Sequence, residues 1–227
     1  MTRLQTASAR RAGVLLDVDG TLIDSNYLHT LAWSRALIDI GEWAPMNAIH
    51  RSVGMGGDQL VAHLLGKPRD EASAAWRTRY EELSCDARAF PFARELVERL
   101  RDSGLKVAFA TSSPSDLLQT AMQKVGVEGL VDAATTADDV ASSKPDPAVF
   151  EVAMQSADID PEFAIAVGDS VWDVRAARAA GIACVGVESG GFSRHELSEE
   201  GAIAVYKDVE QLWRQLSTSP LARLAHG

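Results

Sequence analysis

The sequence has no apolar run close to the roughly 18 residues that a membrane-spanning helix requires. Its longest apolar stretches are short, such as LKVAFA at 105–110 and FAIAV at 163–167. Cysteine is also scarce, because Cys85 and Cys184 are the two in a chain of 227 residues and lie far apart. Two distant cysteines give no disulfide framework. We therefore expect a protein without a membrane span, in a reducing, cytoplasmic compartment.

Basic residues are in short supply too. The chain has 22 lysines and arginines against 32 aspartates and glutamates, which gives a net charge of −10. Proteins that bind nucleic acid neutralise backbone phosphates with clustered lysine and arginine, and the chain has no such basic stripe. Nucleic acid is therefore not an expected partner. With 46% hydrophobic residues, the composition is otherwise that of an ordinary globular protein.

Five short apolar runs recur along the chain, and helical patterns separate several of them. Such runs, each ending near small or acidic residues, are typical of buried parallel strands. The runs are GVLLD (13–17), LKVAFAT (105–111), GLVDAAT (129–135), FAIAVGD (163–169) and IACVGV (182–187). The alternation of strand and helix predicts an α/β fold, with a Rossmann-like parallel sheet core and helices on both faces.

Residues 25–90 interrupt this alternation. They carry helical patterns at 27–40, 58–66 and 70–84 and no convincing strand. The connecting stretch at 45–59 is rich in Gly and polar residues, and its GMGG (54–57) is predicted to be a loop between helices. We interpret this segment as an α-helical cap domain inserted after the first strand. The expected division is a core over 12–24 and 91–217, a cap over 25–90, and flexible tails over 1–11 and 218–227.

Polar and charged residues follow several of the predicted strands. They are Asp17, Asp19, Thr111, Ser112, Lys144, Asp169 and Asp173. Each has an ordinary explanation when taken alone, such as a turn acid, a helix-entry hydroxyl, a surface lysine or a helix N-cap. However, open α/β sheets bind ligands at the carboxyl ends of their strands. We therefore expect these side chains to form one site.

The charges of this set predict a metal ion. The four carboxylates carry about −4, the lysine adds +1, and a phosphate dianion adds about −2, so the bare site would repel a phosphorylated substrate. Oxygen ligands without a Cys or His cluster favour Mg²⁺ over zinc. The set therefore indicates Mg²⁺-dependent phosphoryl transfer.

The order of these motifs resembles that of a known family. DVDGT (17–21), Thr111, Lys144 and GDSVWD (168–173) resemble the four motifs of the haloacid dehalogenase superfamily of phosphotransferases. The resemblance covers about 13–187, and the helical insertion is similar to that of the family's helical-cap subfamily. The run DVDGTLIDSNYLHTLAW resembles the phosphoglycolate-phosphatase and beta-phosphoglucomutase branch, in which a His and a Trp follow the first motif.

This resemblance implies roles for the two aspartates of the first motif. Asp17 would be the nucleophile that forms an aspartyl-phosphate, and its second oxygen would bind Mg²⁺. Asp19 would protonate the leaving alkoxide and then deprotonate the attacking water, while its backbone carbonyl binds the metal. Because dehalogenases of the superfamily lack the second aspartate, the presence of Asp19 favours a phosphate substrate over a haloacid.

The resemblance also implies roles for the later motifs. Thr111, Ser112 and Lys144 would hold the phosphoryl oxygens. Asp169 would bind the metal directly, and Asp173 directly or through water. The expected protein is a Mg²⁺-dependent phosphatase of small phosphomonoesters, of the phosphoglycolate or sugar phosphate type. Its partner would be a small phosphorylated metabolite, and its oligomeric state is expected to be monomer or homodimer.

Four residues of the insertion are weaker candidates. His29 and Trp33 follow the first motif at the spacing found in this branch. His29 could contact the site, but it could equally be a partly exposed residue on the surface of a helix. Arg51 could bind a carboxylate or a second phosphate of the substrate. It could equally be a solvated arginine on the protein surface. A phosphonate-cleaving activity would need a Schiff-base lysine, for which the insertion offers Lys67 in a predicted loop.

Two alternative functions stay open. A sugar phosphomutase would use the same aspartyl-phosphate, but the insertion lacks an obvious pair of basic residues to hold a bisphosphate. A non-catalytic protein that binds a phosphorylated ligand belongs to another class. Such a protein should have lost at least one of Asp17, Asp19, Lys144 and Asp169, and all four are present.

Overall fold

The computed structural model describes residues 11–226. Its strands are β1 (Gly13–Leu16), β2 (Ile23–Asp24), β3 (Arg88–Ala89), β4 (Lys106–Ala110), β5 (Ala133–Thr135), β6 (Ala164–Gly168), β7 (Ala183–Val187) and β8 (Ala204–Tyr206). The helices are α1 (Asn26–Asp39), α2 (Met46–Ser52), α3 (Gly57–Leu65), α4 (Ala72–Leu83), α5 (Ala93–Asp102), α6 (Ser115–Val125), α7 (Ala148–Ala157), α8 (Val171–Ala179), α9 (Arg194–Glu200), α10 (Val209–Arg214) and α11 (Ala222–His226).

Six strands form one parallel sheet in the order β5-β4-β1-β6-β7-β8. β1 lies in the middle, where Leu16 pairs with Phe109 on one side and Val167 on the other. One hydrophobic cluster includes Val14 and Leu16, and a second includes Leu15, so the sheet is covered on both faces. The predicted α/β fold is confirmed. The strand order also reverses beside β1, which is where open α/β sheets bind ligands.

The edge strand β8 was not among the predicted strands. It has only three residues, Ala204 to Tyr206, and pairs with β7 through Val185 and its neighbours. A run this short gives no clear period in the sequence. Its place in the sheet comes from tertiary packing, with Val205 buried against the core.

Helices α1 to α4 all lie between β1 and β4, and they pack around a hydrophobic cluster of their own that includes Leu37, Ile49, Leu60 and Trp76. The predicted GMGG loop is confirmed for residues 54–56, which lie between α2 and α3, but the first half of the stretch 45–59 forms α2, a helix that was not predicted. The fully buried Ile49 explains this helix, since its packing outweighs the weak local signal.

The segment 25–90 also contains one short strand where none was predicted. β3 pairs antiparallel with β2, joining Ile23 to Ala89 and Asp24 to Arg88. The two strands lie at the two ends of the insertion and connect the chain into and out of it. A pair of two-residue strands is too short to show a period of two in the sequence.

The predicted tails cover residues 1–11 and 218–227. Residues 1–10 lie outside the described residues. At the other end, residues 218–226 contain helix α11, and Leu221 is fully buried in the core. The expectation of a flexible tail there was wrong for these residues, because an apolar contact anchors them. Within the described part of the chain, no helix has the length and apolar character needed to cross a bilayer.

Candidate active site

Three carboxylates meet at the carboxyl edge of the sheet. Asp17 follows β1, Asp169 follows β6, and Asp173 lies in the first turn of α8. All three are buried, and one oxygen from each lies within 4.8 Å of the others. Gly168 permits this approach, because a Cβ atom there would lie 2.4 Å from Cγ of Asp173. The structure thus brings together residues that are more than 150 positions apart in sequence.

Lys144 lies inside this cluster and is 1% exposed, so it is not a surface lysine. Its Nζ is 2.6 Å from Oδ1 of Asp17 and 2.7 Å from Oδ1 of Asp173, and it donates a hydrogen bond to the carbonyl of Ala110. Burial alone would lower the pKa of Lys144, but the charges of Asp17 and Asp173 outweigh it and raise the pKa. The lysine is therefore held in its charged form.

One lysine does not balance three buried carboxylates. Burial raises the pKa of Asp17 to about 7, against the opposing effect of Lys144. Burial also raises the pKa of Asp169 well above its usual value, and the negative charges of Asp17 and Asp173 add to that shift. The cluster therefore has more negative charge than Lys144 alone can balance. Its donors are all hard oxygen atoms, which fit a divalent cation of the Mg²⁺ type.

Two polar residues that sequence reasoning missed hold the carboxylates in place. The hydroxyl of Thr21 lies 3.2 Å from Oδ2 of Asp17 and 3.1 Å from Oδ1 of Asp169, so its single proton can be donated to either. Asn26 donates from Nδ2 to Oδ2 of Asp169 over 2.8 Å and to the carbonyl of Gly190 over 3.3 Å. Thr21 belongs to the DVDGT motif, whereas nothing in the sequence singled out Asn26.

Asp19 lies beside this cluster in a network of its own. Ser25 donates to its Oδ1 over 2.6 Å, and Nε2 of His29 lies 3.1 Å from the same oxygen. Ser113 donates to its Oδ2 over 2.7 Å. Burial acts to raise the pKa of Asp19, but the charge of His29 and hydrogen bonds from His29 and the two serines lower it. Asp19 is therefore held as a carboxylate, and His29 belongs to the site.

Thr111 and Ser112 lie at the end of β4, on the cavity that Asp17 and Asp19 also line. The hydroxyl oxygen of Thr111 accepts a hydrogen bond from the backbone N–H of Ser113 over 3.0 Å, which leaves its own proton available. The hydroxyl of Ser112 is buried and has no hydrogen-bond partner among the described residues. Both side chains can therefore donate to a ligand in the cavity.

This cavity has a volume of about 340 Å³ and lies between the sheet edge and the helical insertion. The insertion contributes His29 and Arg77 to its walls, but not Arg51. Arg51 instead pairs with Glu196, and its guanidinium lies 3.9 Å from the ring centre of Phe192. Lys67 does not line the cavity either, and it pairs with Glu42 over 3.3 Å. The structure thus supports neither Arg51 as a substrate ligand nor Lys67 as a Schiff-base lysine.

The fold and this carboxylate cluster define a class of α/β protein whose site lies at the strand-order reversal of a parallel sheet. Residues 12–181 match the model of the haloacid dehalogenase-like hydrolase family. The chain therefore belongs to this family.

Individual relatives agree with this assignment. A phosphoglycolate phosphatase from Pseudomonas putida is 30% identical over 210 residues, covering 88% of this chain and 77% of the relative. A validoxylamine A 7'-phosphate phosphatase from Streptomyces hygroscopicus subsp. limoneus is 30% identical over 190 residues, covering 76% of this chain and 84% of the relative. The crystal structure of a hydrolase from Pseudomonas syringae has a TM-score of 0.86 at 32% identity, covering 91% of this chain and 98% of that hydrolase. The predicted family and the predicted enzyme class, a phosphatase, are confirmed.

Proposed function

We propose that this protein is a Mg²⁺-dependent phosphatase that hydrolyses small phosphomonoesters through an aspartyl-phosphate on Asp17. The observation that carries the proposal is the position of Asp17. It lines the cavity, lies 2.6 Å from the ammonium of Lys144, and belongs to a cluster of three buried carboxylates. A carboxylate in that position can attack a phosphorus atom while positive charge balances the transferring oxygens.

The first half of the reaction transfers the phosphoryl group to the enzyme. A carboxylate oxygen of Asp17 forms a bond to phosphorus, and the bond from phosphorus to the ester oxygen breaks. Asp19 gives its proton to the departing oxygen, so that the product leaves as a neutral alcohol. Thr111 and Ser112 line the cavity and would donate hydrogen bonds to the phosphoryl oxygens, while the charge of Lys144 beside Asp17 would help to balance them.

The second half releases inorganic phosphate. Asp19 takes a proton from water, the water oxygen bonds to phosphorus, and the bond from phosphorus to Asp17 breaks. Asp19 begins as a carboxylate in this structure, so it must gain a proton before the first step. His29 is the adjacent titratable group, with Nε2 3.1 Å from Oδ1 of Asp19, and we assign it the role of exchanging that proton.

The residues that would hold the metal are Asp17, Asp169, Asp173 and the backbone carbonyl of Asp19. A bound Mg²⁺ supplies charge that offsets both the carboxylates and the phosphate of the substrate. The raised pKa of Asp17 and of Asp169 supports this assignment, because burial and the neighbouring carboxylates outweigh the single positive charge of Lys144. Thr21 and Asn26 would hold Asp169 in the orientation the metal needs.

We further propose that residues 25–90 form a cap domain over a core of residues 12–24 and 91–217. The separate hydrophobic cluster of α1 to α4 supports this division, and so does the cavity between the insertion and the sheet edge. A cap that closes there would exclude bulk water and contact the leaving group, since the residues at the sheet edge contact the phosphoryl group.

The relatives support a small phosphorylated metabolite as the substrate, since they are named for phosphoglycolate and validoxylamine A 7'-phosphate. A phosphomutase is less well supported, because Arg77 is the one lysine or arginine that lines the cavity among the described residues. A non-catalytic binding role is not supported, because every residue the chemistry needs is present. Cys85 and Cys184 are both free thiols, which fits the proposed cytoplasmic location.

The test of this proposal is the release of inorganic phosphate from a panel of phosphomonoesters with Mg²⁺ and with a chelator. The panel should include p-nitrophenyl phosphate, phosphoglycolate and several sugar phosphates. We expect release that depends on Mg²⁺ and is lost in Asp17→Asn, while Asp102→Asn, at an exposed position on α5, keeps it. If no member of the panel is hydrolysed, or if the chelator has no effect, the proposal is wrong.

A further inference from the structure

The walls of the cavity beyond the sheet edge are largely nonpolar. From the helical insertion, Trp33, Met55, Leu60 and Trp76 line it, and Pro114 and Val140 line it from the opposite side. A volume of about 340 Å³ falls in the usual range for sites that enclose a small organic molecule, roughly 300–1,000 Å³. A leaving group of two carbons would leave much of this nonpolar surface without contact.

Two indole rings belong to this surface. Trp33 on α1 stacks on Trp76 on α4, with ring centres 5.3 Å apart and planes inclined by 17°. Trp76 also stacks on Tyr80 at 5.4 Å, so neighbouring rings hold it in place. Trp33 and Trp76 are both more than nine-tenths buried. The cavity therefore has a rigid aromatic wall, of the kind that packs against the nonpolar face of a ring.

The same wall offers hydrogen-bond donors. The indole N–H of Trp76 is buried and has no hydrogen-bond partner among the described residues. A buried donor normally finds an acceptor, and Trp76 lines the cavity, so a ligand oxygen can provide one. Ser73, which precedes Trp76 by three positions on α4, adds a hydroxyl to the same cavity.

Charge on this side of the cavity is already compensated. Arg77 is the one lysine or arginine that lines the cavity within residues 11–226, and its Nη1 donates to Oδ2 of Asp116 over 2.7 Å. A carboxylate or second phosphate on the leaving group would have to compete with Asp116 for this guanidinium. The site therefore favours a leaving group without charge.

From these features we infer that the leaving group of the preferred substrate is a neutral, ring-shaped polyol, so that the substrate is a carbohydrate-like phosphomonoester rather than a phosphorylated acid. The inference rests on the proposed phosphatase function and narrows it. The nonpolar face of the ring would pack on the wall formed by Trp33 and Trp76, and its hydroxyl oxygens would accept from Trp76 and Ser73.

The first test compares kcat/KM values measured with Mg²⁺ for glucose 6-phosphate, myo-inositol 1-phosphate, glycerol 3-phosphate and phosphoglycolate. We expect at least one of the two ring substrates to exceed phosphoglycolate and glycerol 3-phosphate by about tenfold or more. A preference for phosphoglycolate would overturn the inference while leaving the phosphatase proposal intact. Failure to hydrolyse any phosphomonoester, p-nitrophenyl phosphate included, would instead refute the phosphatase proposal.

The second test uses Trp76→Phe, which keeps an aromatic ring but removes the N–H. We expect the kcat/KM for the ring substrate, divided by the kcat/KM for phosphoglycolate, to fall about tenfold. A change of this size is expected when the enzyme loses one hydrogen bond to its substrate. Trp43→Phe, altered at a position 70% exposed, should leave the ratio unchanged. Ser73→Ala serves if Trp76→Phe does not fold. An unchanged ratio in a folded Trp76→Phe or Ser73→Ala protein would contradict the proposed contacts.

Discussion

The ammonium nitrogen of Lys144 lies 2.6 Å from Oδ1 of Asp17, and both residues are buried. Breaking a buried ion pair leaves an uncompensated charge, at a cost of about 3–5 kcal/mol. We therefore expect Lys144→Met to lower the free energy of unfolding by about that amount, measured by urea denaturation without metal. Phosphate release should fall by about 10²–10³-fold as well.

The matched control for this substitution is Lys106→Met. Lys106 pairs with Asp132 over 3.0 Å, but its side chain is 48% exposed. An exposed pair contributes about 0–1 kcal/mol, so this variant should stay close to wild type in stability and activity. Equal losses in the two variants would show that the burial of Lys144 has no special effect.

Replacing Asp19 with Asn should reveal its role in proton transfer. General acid–base groups contribute about 10²–10⁴-fold to rates, so we expect kcat/KM for an alkyl phosphate to fall by that much in Asp19→Asn. The fall should be smaller for p-nitrophenyl phosphate, because its leaving group departs without needing a proton. An equal fall for both substrates would mean that Asp19 does not protonate the leaving oxygen.

Asn26 should affect metal binding, although we do not place it among the metal ligands. It donates a hydrogen bond to Oδ2 of Asp169 over 2.8 Å. Mutation of a residue that orients a metal ligand typically weakens metal affinity by about 10–100-fold. We expect Asn26→Ala to raise the Mg²⁺ concentration needed to stabilise the protein against thermal unfolding by about that factor. Asn47→Ala, at an exposed position on α2, should leave it unchanged. A wild-type Mg²⁺ response in Asn26→Ala would contradict this prediction.

Glu196 should show how pH affects a carboxylate that accepts hydrogen bonds from Ser193 at the start of α9 and pairs with Arg51. Hydrogen bonds from Ser193, and then the guanidinium of Arg51, lower the pKa of Glu196 from its usual 4.5 to about 2. A carboxylate with a lowered pKa stabilises the folded state above the unfolded pKa, and this stabilisation is lost as pH falls toward the folded pKa.

We therefore expect Glu196→Gln to be less stable than wild type at pH 7, and the difference in unfolding free energy to shrink as pH falls from about 4.5 to about 2. The exposed Glu128 gives the control substitution, Glu128→Gln, which should show no such trend. A difference between Glu196→Gln and wild type that does not vary with pH would contradict the ionic origin of the effect.

The fold and the carboxylate cluster could be predicted because their signals are local. Apolar runs mark β1, β4 and β6, and parallel strands that are neighbours bring their carboxyl ends together. This places Asp17, Thr111 and Asp169 in one region without any knowledge of side-chain contacts.

Other contacts depend on tertiary packing and leave little trace in the sequence. Ser113 precedes α6 in a pattern typical of a capping box, yet its hydroxyl donates to Asp19 over 2.7 Å instead of capping α6. Arg51 and Arg77 both belong to helices of the insertion, and only the packing of those helices puts Arg77 on the cavity and Arg51 against Glu196. Likewise, the sequence does not indicate that Trp76 lines the cavity with an indole N–H that has no hydrogen-bond partner among the described residues.

The central claim is that Asp17 carries the phosphoryl group between the two halves of the reaction. The most direct measurement mixes enzyme with Mg²⁺ and a substrate it hydrolyses, quenches with acid during turnover, and maps the peptides by mass spectrometry. We predict that the peptide containing Asp17 gains the mass of one phosphoryl group, and that Asp17→Asn shows no such gain. Phosphate release by an enzyme that never carries this label, or a label on another residue, would contradict the account.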